Sequence, residues 1–179
     1  MKRLLALTAL AALVPAASAA ARPAAETPKK LDGNAVISTK GVGPIELGMT
    51  IAQARKAAKT GIRAGSEVTK SCRHDKVLPL RFGLSTLRFK NKIRVLYVTR
   101  TAMPTAKGVR VNDTLNRLQS KYGSKLQARP SDVSPETTIY ELHGKGVREM
   151  QFSVNTTTQR IFQIATGLRP EVDFPEGCA

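Results

Sequence analysis

The sequence predicts an α+β protein of two tandem repeats. Each repeat is a short strand, one helix and about three antiparallel strands, with the helices packed on one face of the sheet. Three observations predict it. Gly48, Met49 and Thr50 open an Ala-rich helix with the residues of a capped start. A fainter copy of this strand–turn–helix stretch begins at Gly108 and closes at Gly123. Each copy is followed by apolar–polar alternation broken by turn residues, the pattern of half-buried strands.

The elements follow in order. Ala35–Ser38 reads as a short strand, and Pro44–Leu47 leads into the first helix. Thr50 is a good N-cap, and Gln53 three residues on completes a capping box. Ile51, Ala54 and Ala58 share one helical face, and Gly61 ends the helix. The polar stretch 63–76 reads as a loop. Val77–Phe82 reads as a strand that Pro79 confines to an edge or a bulge. Leu84–Lys90 and Ile93–Thr99 form a hairpin turning at Asn91–Lys92. Its register is open: Leu87 and Phe89 share a face either with Leu96 and Val98 or with Ile93, Val95 and Tyr97.

In the second half, Asp113 or Thr114 caps a helix with Leu115, Leu118 and Tyr122 on its apolar face. A loop follows over 128–135. Thr137–Leu142, Val147–Val154 and Arg160–Thr166 read as strands, the first two joined by a turn at Gly144–Gly146. Thr50 aligns with Thr114, and Asn91–Leu96 with Gln159–Ile164. The expected organisation is a signal peptide over 1–19, a disordered leader over 20–34, and repeats over 35–103 and 104–168. An acidic, Pro-containing tail occupies 169–179.

The leader carries the compartment signal. Lys2 and Arg3 precede the apolar run Leu4–Val14, and Ala17–Ala19 fits the small-x-small cleavage rule, with Ala21 as the alternative site. Leu4–Val14 is too short to span a bilayer, and no later run is longer and as apolar. The expected location is the periplasm or the cell exterior. Two Cys in an exported chain predict one disulfide, Cys72–Cys178. Closing so long a loop would stabilise the fold by at most about 4.7 kcal/mol on a chain-entropy argument.

The formal charge of +16 favours anionic partners, or serves solubility alone. With aromatics at 4% and no Trp, a stacking platform for single-stranded nucleic acid or sugar is disfavoured. Arg81, Arg88, Lys90, Lys92, Arg94 and Arg100 are the candidate anion- or partner-binding residues if they share an open sheet face; otherwise they protect strand edges. Catalytic patterns are absent: no nucleophile elbow, P-loop, dinucleotide fingerprint or His pair at metal spacing. Cys72, His74 and Asp75 form a compact cluster, but a disulfide would remove the thiolate from metal chemistry. His74 and His143 fall in different halves, and nothing in the spacing brings Glu136, Glu141 and Glu149 together. No cofactor, metal or catalytic residue is therefore expected.

The Gly48–Thr50 helix start, with its looser echo at Asn112–Thr114 and Tyr122–Gly123, resembles the β-lactamase-inhibitor-protein-like group. The outer-membrane assembly lipoproteins (SmpA/OmlA-like, BamE-like) share that fold. The resemblance spans about Val36 to Gly167. It implies a non-enzymatic binding fold in the cell envelope or outside it, with an envelope or secreted protein as partner. The alternatives are a basic binder of anionic polymers or lipids, such as lipopolysaccharide or nucleic acid, and a small hydrolase without a recognisable motif.

Overall fold

The computed structural model describes residues 31–174. Three two-residue strands come first: β1 (Ile37–Ser38), β2 (Gly41–Val42) and β3 (Ile45–Glu46). They form an antiparallel meander whose Ile37, Val42 and Ile45 are fully buried. Its tightness depends on Gly41, where an added Cβ would lie 2.1 Å from the Ile45 carbonyl oxygen. The meander is tied to the rest by the Ile37 amide, which donates to the Pro104 carbonyl at 2.8 Å. The Thr166 hydroxyl likewise donates to the Ser38 carbonyl at 2.8 Å.

Helix α1 (Ile51–Ala58) starts at Thr50, whose hydroxyl accepts from the Gln53 amide while the Gln53 side chain accepts from the Thr50 amide. It stops at Lys59, in the left-handed conformation, two residues before the expected Gly61. Four strands follow: β4 (Ile62–Thr69), β5 (Cys72–Val77), β6 (Leu84–Phe89) and β7 (Lys92–Val98). Helix α2 (Leu115–Tyr122), capped by Thr114, precedes β8 (Gln127–Pro130), β9 (Thr137–His143), β10 (Arg148–Asn155) and β11 (Arg160–Leu168). All eight strands join one antiparallel sheet in the order β4-β5-β6-β7-β11-β10-β9-β8.

This architecture overturns the expected layering of two tandem units with helices on one sheet face. The chain is mainly β, and strands of an eight-stranded and a three-stranded sheet carry the fold. Among the described residues, the α-helices are two segments of eight residues. Two segments account for much of the difference. The stretch 63–76, expected as a loop, instead forms most of β4 and of β5. The former is an edge strand with two register shifts, polar on both sides, so it lacks the apolar alternation of a half-buried strand. The stretch 128–135, expected as a loop, instead begins with most of the short edge strand β8. The strand expected over Val77–Phe82 instead ends at Val77, and a 3-10 turn spans Leu80–Phe82 after Pro79.

The open hairpin register is also resolved. Lys90 and Asn91 form the turn, both at positive φ. Leu87 pairs with Val95, but Arg88 pairs with Ile93, so Arg94 is the extra residue of a β-bulge. The bulge puts Leu87, Phe89, Val95 and Tyr97 on one face and sends Ile93 to the other.

The first face of the sheet carries the main core. Leu84, Leu96, Val98, Met150, Phe152 and Ile164 pack there with the meander and with Ala54, Ala58, Leu118 and Tyr122. The Tyr122 and Phe152 rings lie 5.5 Å apart. The second face has a smaller apolar cluster of Cys72, Leu87, Val95, Ala165 and Val172. Val172 belongs to the segment after β11, which folds back over this face. Its approach requires Gly167, where an added Cβ would lie 2.7 Å from Val172 Cβ and 3.1 Å from Val95 Cγ2.

Gly167→Ala is expected to lift this segment and to destabilise the protein by about 1–3 kcal/mol, the usual cost of overpacking. Urea unfolding measures it, and an unchanged midpoint would show that Val172 yields without loss.

Candidate functional site

Strand register builds the second face as rows. Tyr97, Ala165, Gln151, Glu141 and Gln127 stand side by side across β7, β11, β10, β9 and β8. One row over lie Val95, Gly167, Glu149 and His143. On the other side lie Gln163, Ser153, Ile139 and Arg129. Strand β10 explains the contrast between the faces. Its Met150, Phe152 and Val154 enter the main core, while the alternate Glu149, Gln151 and Ser153 form a polar floor on the second face. All six are buried.

A groove of about 420 Å³ opens above part of this floor. Gln151, Ser153 and Gln163 line its base, with Val133 of the β8–β9 loop, Phe162 and Phe174 around it. Val133 and Phe162 are 66% and 44% exposed, so apolar side chains face solvent beside a buried polar base.

Charged groups concentrate at one end. Glu149 is fully buried, and its Oε1 accepts from Gln151 Nε2 at 2.7 Å. His143 Nδ1 at 3.0 Å and Arg169 Nε at 3.2 Å approach its Oε2, yet that oxygen accepts no hydrogen bond. Burial, more than the neighbouring Glu141 and Asp173, pushes the Glu149 carboxyl above the usual range; the Gln151 hydrogen bond and the Arg169 charge oppose this. Glu141 pairs with Arg129, and Arg169 Nε donates to Asp173 Oδ2 at 2.9 Å. Burial also pushes the Tyr97 hydroxyl up to about 12. The segment after β11 is held to β7 by a two-pronged ion pair, in which Arg94 Nε and Nη2 donate to Glu171 at 2.8 and 2.9 Å.

The six basic residues singled out from the sequence do not form one surface. Arg88 Nε donates to the buried Asp75 at 3.1 Å, and Arg94 is engaged by Glu171. Lys90 lies in the β6–β7 turn and Lys92 follows it, with the Lys90 ammonium 5.3 Å from the Phe89 ring centre. Arg81 lies over Phe82 in the 3-10 turn, and Arg100 is exposed just beyond β7, at the opposite end of the hairpin. Lys90 and Arg88 do line a second hollow of about 530 Å³, together with Lys70 and Arg73.

Cys72 opens β5, is 1% exposed and is not a free thiol; its expected partner Cys178 lies outside the described residues, as does the expected signal peptide. Cys72 and His74 occupy the second face, but Asp75 points to the first, so the three do not converge. The grouping that sequence reasoning missed is Glu141, His143 and Glu149. The β9–β10 hairpin pairs His143 with Glu149 and Glu141 with Gln151. The signal was available in the Gly144–Gly146 turn, since counting outward from it places these side chains on one face.

No family model matches the chain. No curated protein matches it either. Among solved structures, the chain is similar to the crystal structure of the uncharacterized protein yfeY from Escherichia coli. The TM-score is 0.52 at 16% sequence identity, over 75% of this chain and 99% of that one. That likeness concerns the fold alone. The resemblance to the inhibitor and assembly-lipoprotein group rests on the Gly48–Thr50 motif and its echo.

A tyrosine raised by burial keeps its proton in the folded state after the unfolded chain has lost it. Stability is therefore expected to fall as pH rises from 10 toward 12, and Tyr97→Phe is expected to flatten this loss. Absorbance titration of the phenolates with denaturation at each pH measures both; an unchanged slope in Tyr97→Phe would refute the assignment.

Proposed function

We propose that this chain is an exported, non-enzymatic binding module that seats a segment of an envelope or secreted protein in the groove of the second face. The observation that supports this reading is the pairing of exposed Val133 and Phe162 with a buried polar base of Gln151 and Ser153. Apolar side chains left in water beside convergent amide and hydroxyl groups are the composition of a recognition site. The apolar rim supplies affinity, and the floor discriminates by the hydrogen bonds it requires. The charge of +16, or +14 once Lys2 and Arg3 are removed with the signal peptide, would also draw in an acidic partner over several ångströms. No helix among the described residues is long and apolar enough to cross a membrane.

Affinity capture from the native cell envelope tests this, with the mature protein and its Val133→Asp/Phe162→Asp variant as parallel baits. A partner retained by the first and lost by the second is expected. A partner retained equally by both would place recognition elsewhere.

The hollow between the β4–β5 and β6–β7 turns favours a second reading, binding of an anionic polymer or lipid headgroup by Lys70, Arg73, Arg88 and Lys90. Arg73 is paired with Glu67 and Arg88 with Asp75, which reduces the charge on offer. Binding of heparin or lipopolysaccharide through this hollow should weaken steeply with salt and fall on Lys70→Ala/Lys90→Ala substitution. A salt-insensitive affinity would exclude it.

A further inference from the structure

We propose that Glu141, His143 and Glu149 form a binding site for a divalent transition-metal cation, with Zn²⁺ as the representative ion. One potential ligand atom from each residue lies within 4.8 Å of the other two. The residues sit on adjacent strands, so the backbone ladder of β9 and β10 holds their spacing. A tetrahedral ion with bonds of about 2.0 Å needs ligand atoms about 3.3 Å apart. His143 Nδ1 and Glu149 Oε2 are already at 3.0 Å, and the His143 side chain, 38% exposed, has room to adjust.

The tautomer of His143 points the same way. Its Nε2 lies 3.0 Å from Gln127 Oε1, a carbonyl oxygen that can only accept, so Nε2 carries the hydrogen. In the neutral ring, Nδ1 then carries the lone pair, 3.0 Å from Glu149 Oε2. A metal-bound imidazole is characteristically fixed this way, its remote N–H held by a neighbouring acceptor. Here that acceptor comes from the next strand, β8.

Glu149 supplies the independent observation. Its side chain is fully buried, and its Oε2, the atom turned toward His143, accepts no hydrogen bond. Arg169 Nε is 3.2 Å away, but its hydrogen is directed to Asp173 Oδ2. A buried carboxylate oxygen that accepts no hydrogen bond, beside an imidazole nitrogen, is chemically a donor set for a cation. The surrounding charge leaves room for a cation. Three carboxylates, from Glu141, Glu149 and Asp173, face two guanidinium groups, from Arg129 and Arg169. Three protein ligands leave one coordination position open, and the exposed edge of His143 provides the route from solvent. The imidazole selects a transition ion over Ca²⁺ or Mg²⁺, which require more oxygen ligands. The proposal is independent of the groove reading, since ion binding needs neither Val133 nor Phe162.

The test uses the mature protein without a histidine tag, stripped with chelator and titrated with ZnCl₂ by calorimetry. One Zn²⁺ per chain and a rise in Tm are expected. CaCl₂ at the same concentration should produce neither. His143→Gln and Glu149→Gln should each weaken Zn²⁺ at least tenfold, while His74→Gln binds as the parent does. Circular dichroism confirms that each variant is folded; His143 is half-exposed, so its substitution keeps the test available if Glu149→Gln does not fold. Co²⁺ absorption in place of Zn²⁺ reports nitrogen–oxygen ligation and should change in His143→Gln. The proposal is overturned by absence of stoichiometric binding, by equal affinity of His143→Gln and the parent, or by Ca²⁺ binding as tightly as Zn²⁺.

Discussion

Four residue pairs between β7 and β11 hold this molecule together: Val95 with Gly167, Leu96 with Thr166, Tyr97 with Ala165 and Val98 with Ile164. Every other strand neighbour in the large sheet is also a neighbour along the chain. This one contact joins the first four strands to the last four. It makes one continuous apolar surface of Leu96, Val98, Ile164 and Phe152 on the first face. It also sets Tyr97 and Ala165 beside Gln151 and Glu141 on the second. The sheet's outer edges then fall on β4, which is irregular and carries Arg63 and Glu67, and on β8, which is four residues long and ends at Pro130. Both are poor templates for pairing with another chain.

The second face answers a problem that the first does not have. A sheet this wide cannot leave eight strands half-naked, yet β10 presents acids and amides there. Most of these groups satisfy one another: Gln151 bonds Glu149 and Asp173, and Arg129 holds Glu141. The loop before β9 and the segment after β11 then limit water access. A network of this kind is rigid where it is complete. It is incomplete at Glu149 Oε2, and the groove and the carboxylate cluster lie on either side of Gln151 and Asp173.

Local chemistry was legible in the amino-acid order, and distant pairing was not. Thr50 with Gln53 announces a helix start, and Thr114 announces another, because caps act within one turn. The Gly144–Gly146 turn announces a hairpin for the same reason. Strands β4 and β8 carry no such signal, because edge strands need no apolar alternation. The bulge at Arg94 escaped notice because its cause is the partner strand. Arg88 and Arg94 read as open cations, since their acids, Asp75 and Glu171, are brought to them by folding. The same holds for the site: Glu141 and Glu149 look scattered until β9 and β10 pair, and Asp173 reaches them only because Gly167 lets the chain double back. The expected layering fails at this level, since helix caps are local signals and the apolar partners of the strands are remote.

The clasp between Arg94 and Glu171 spans 77 positions along the chain. Contacts of that separation close late, because the intervening chain must be ordered before they are rewarded. Until they close, Leu87, Val95 and Ala165 lie without the cover of Val172. Cover of the second face thus depends on delivery of residues beyond β11. The groove shares this dependence, since Val172, Asp173 and Phe174 line it: a chain cut short after β11 would keep the residues of its main core and lose one wall of the groove.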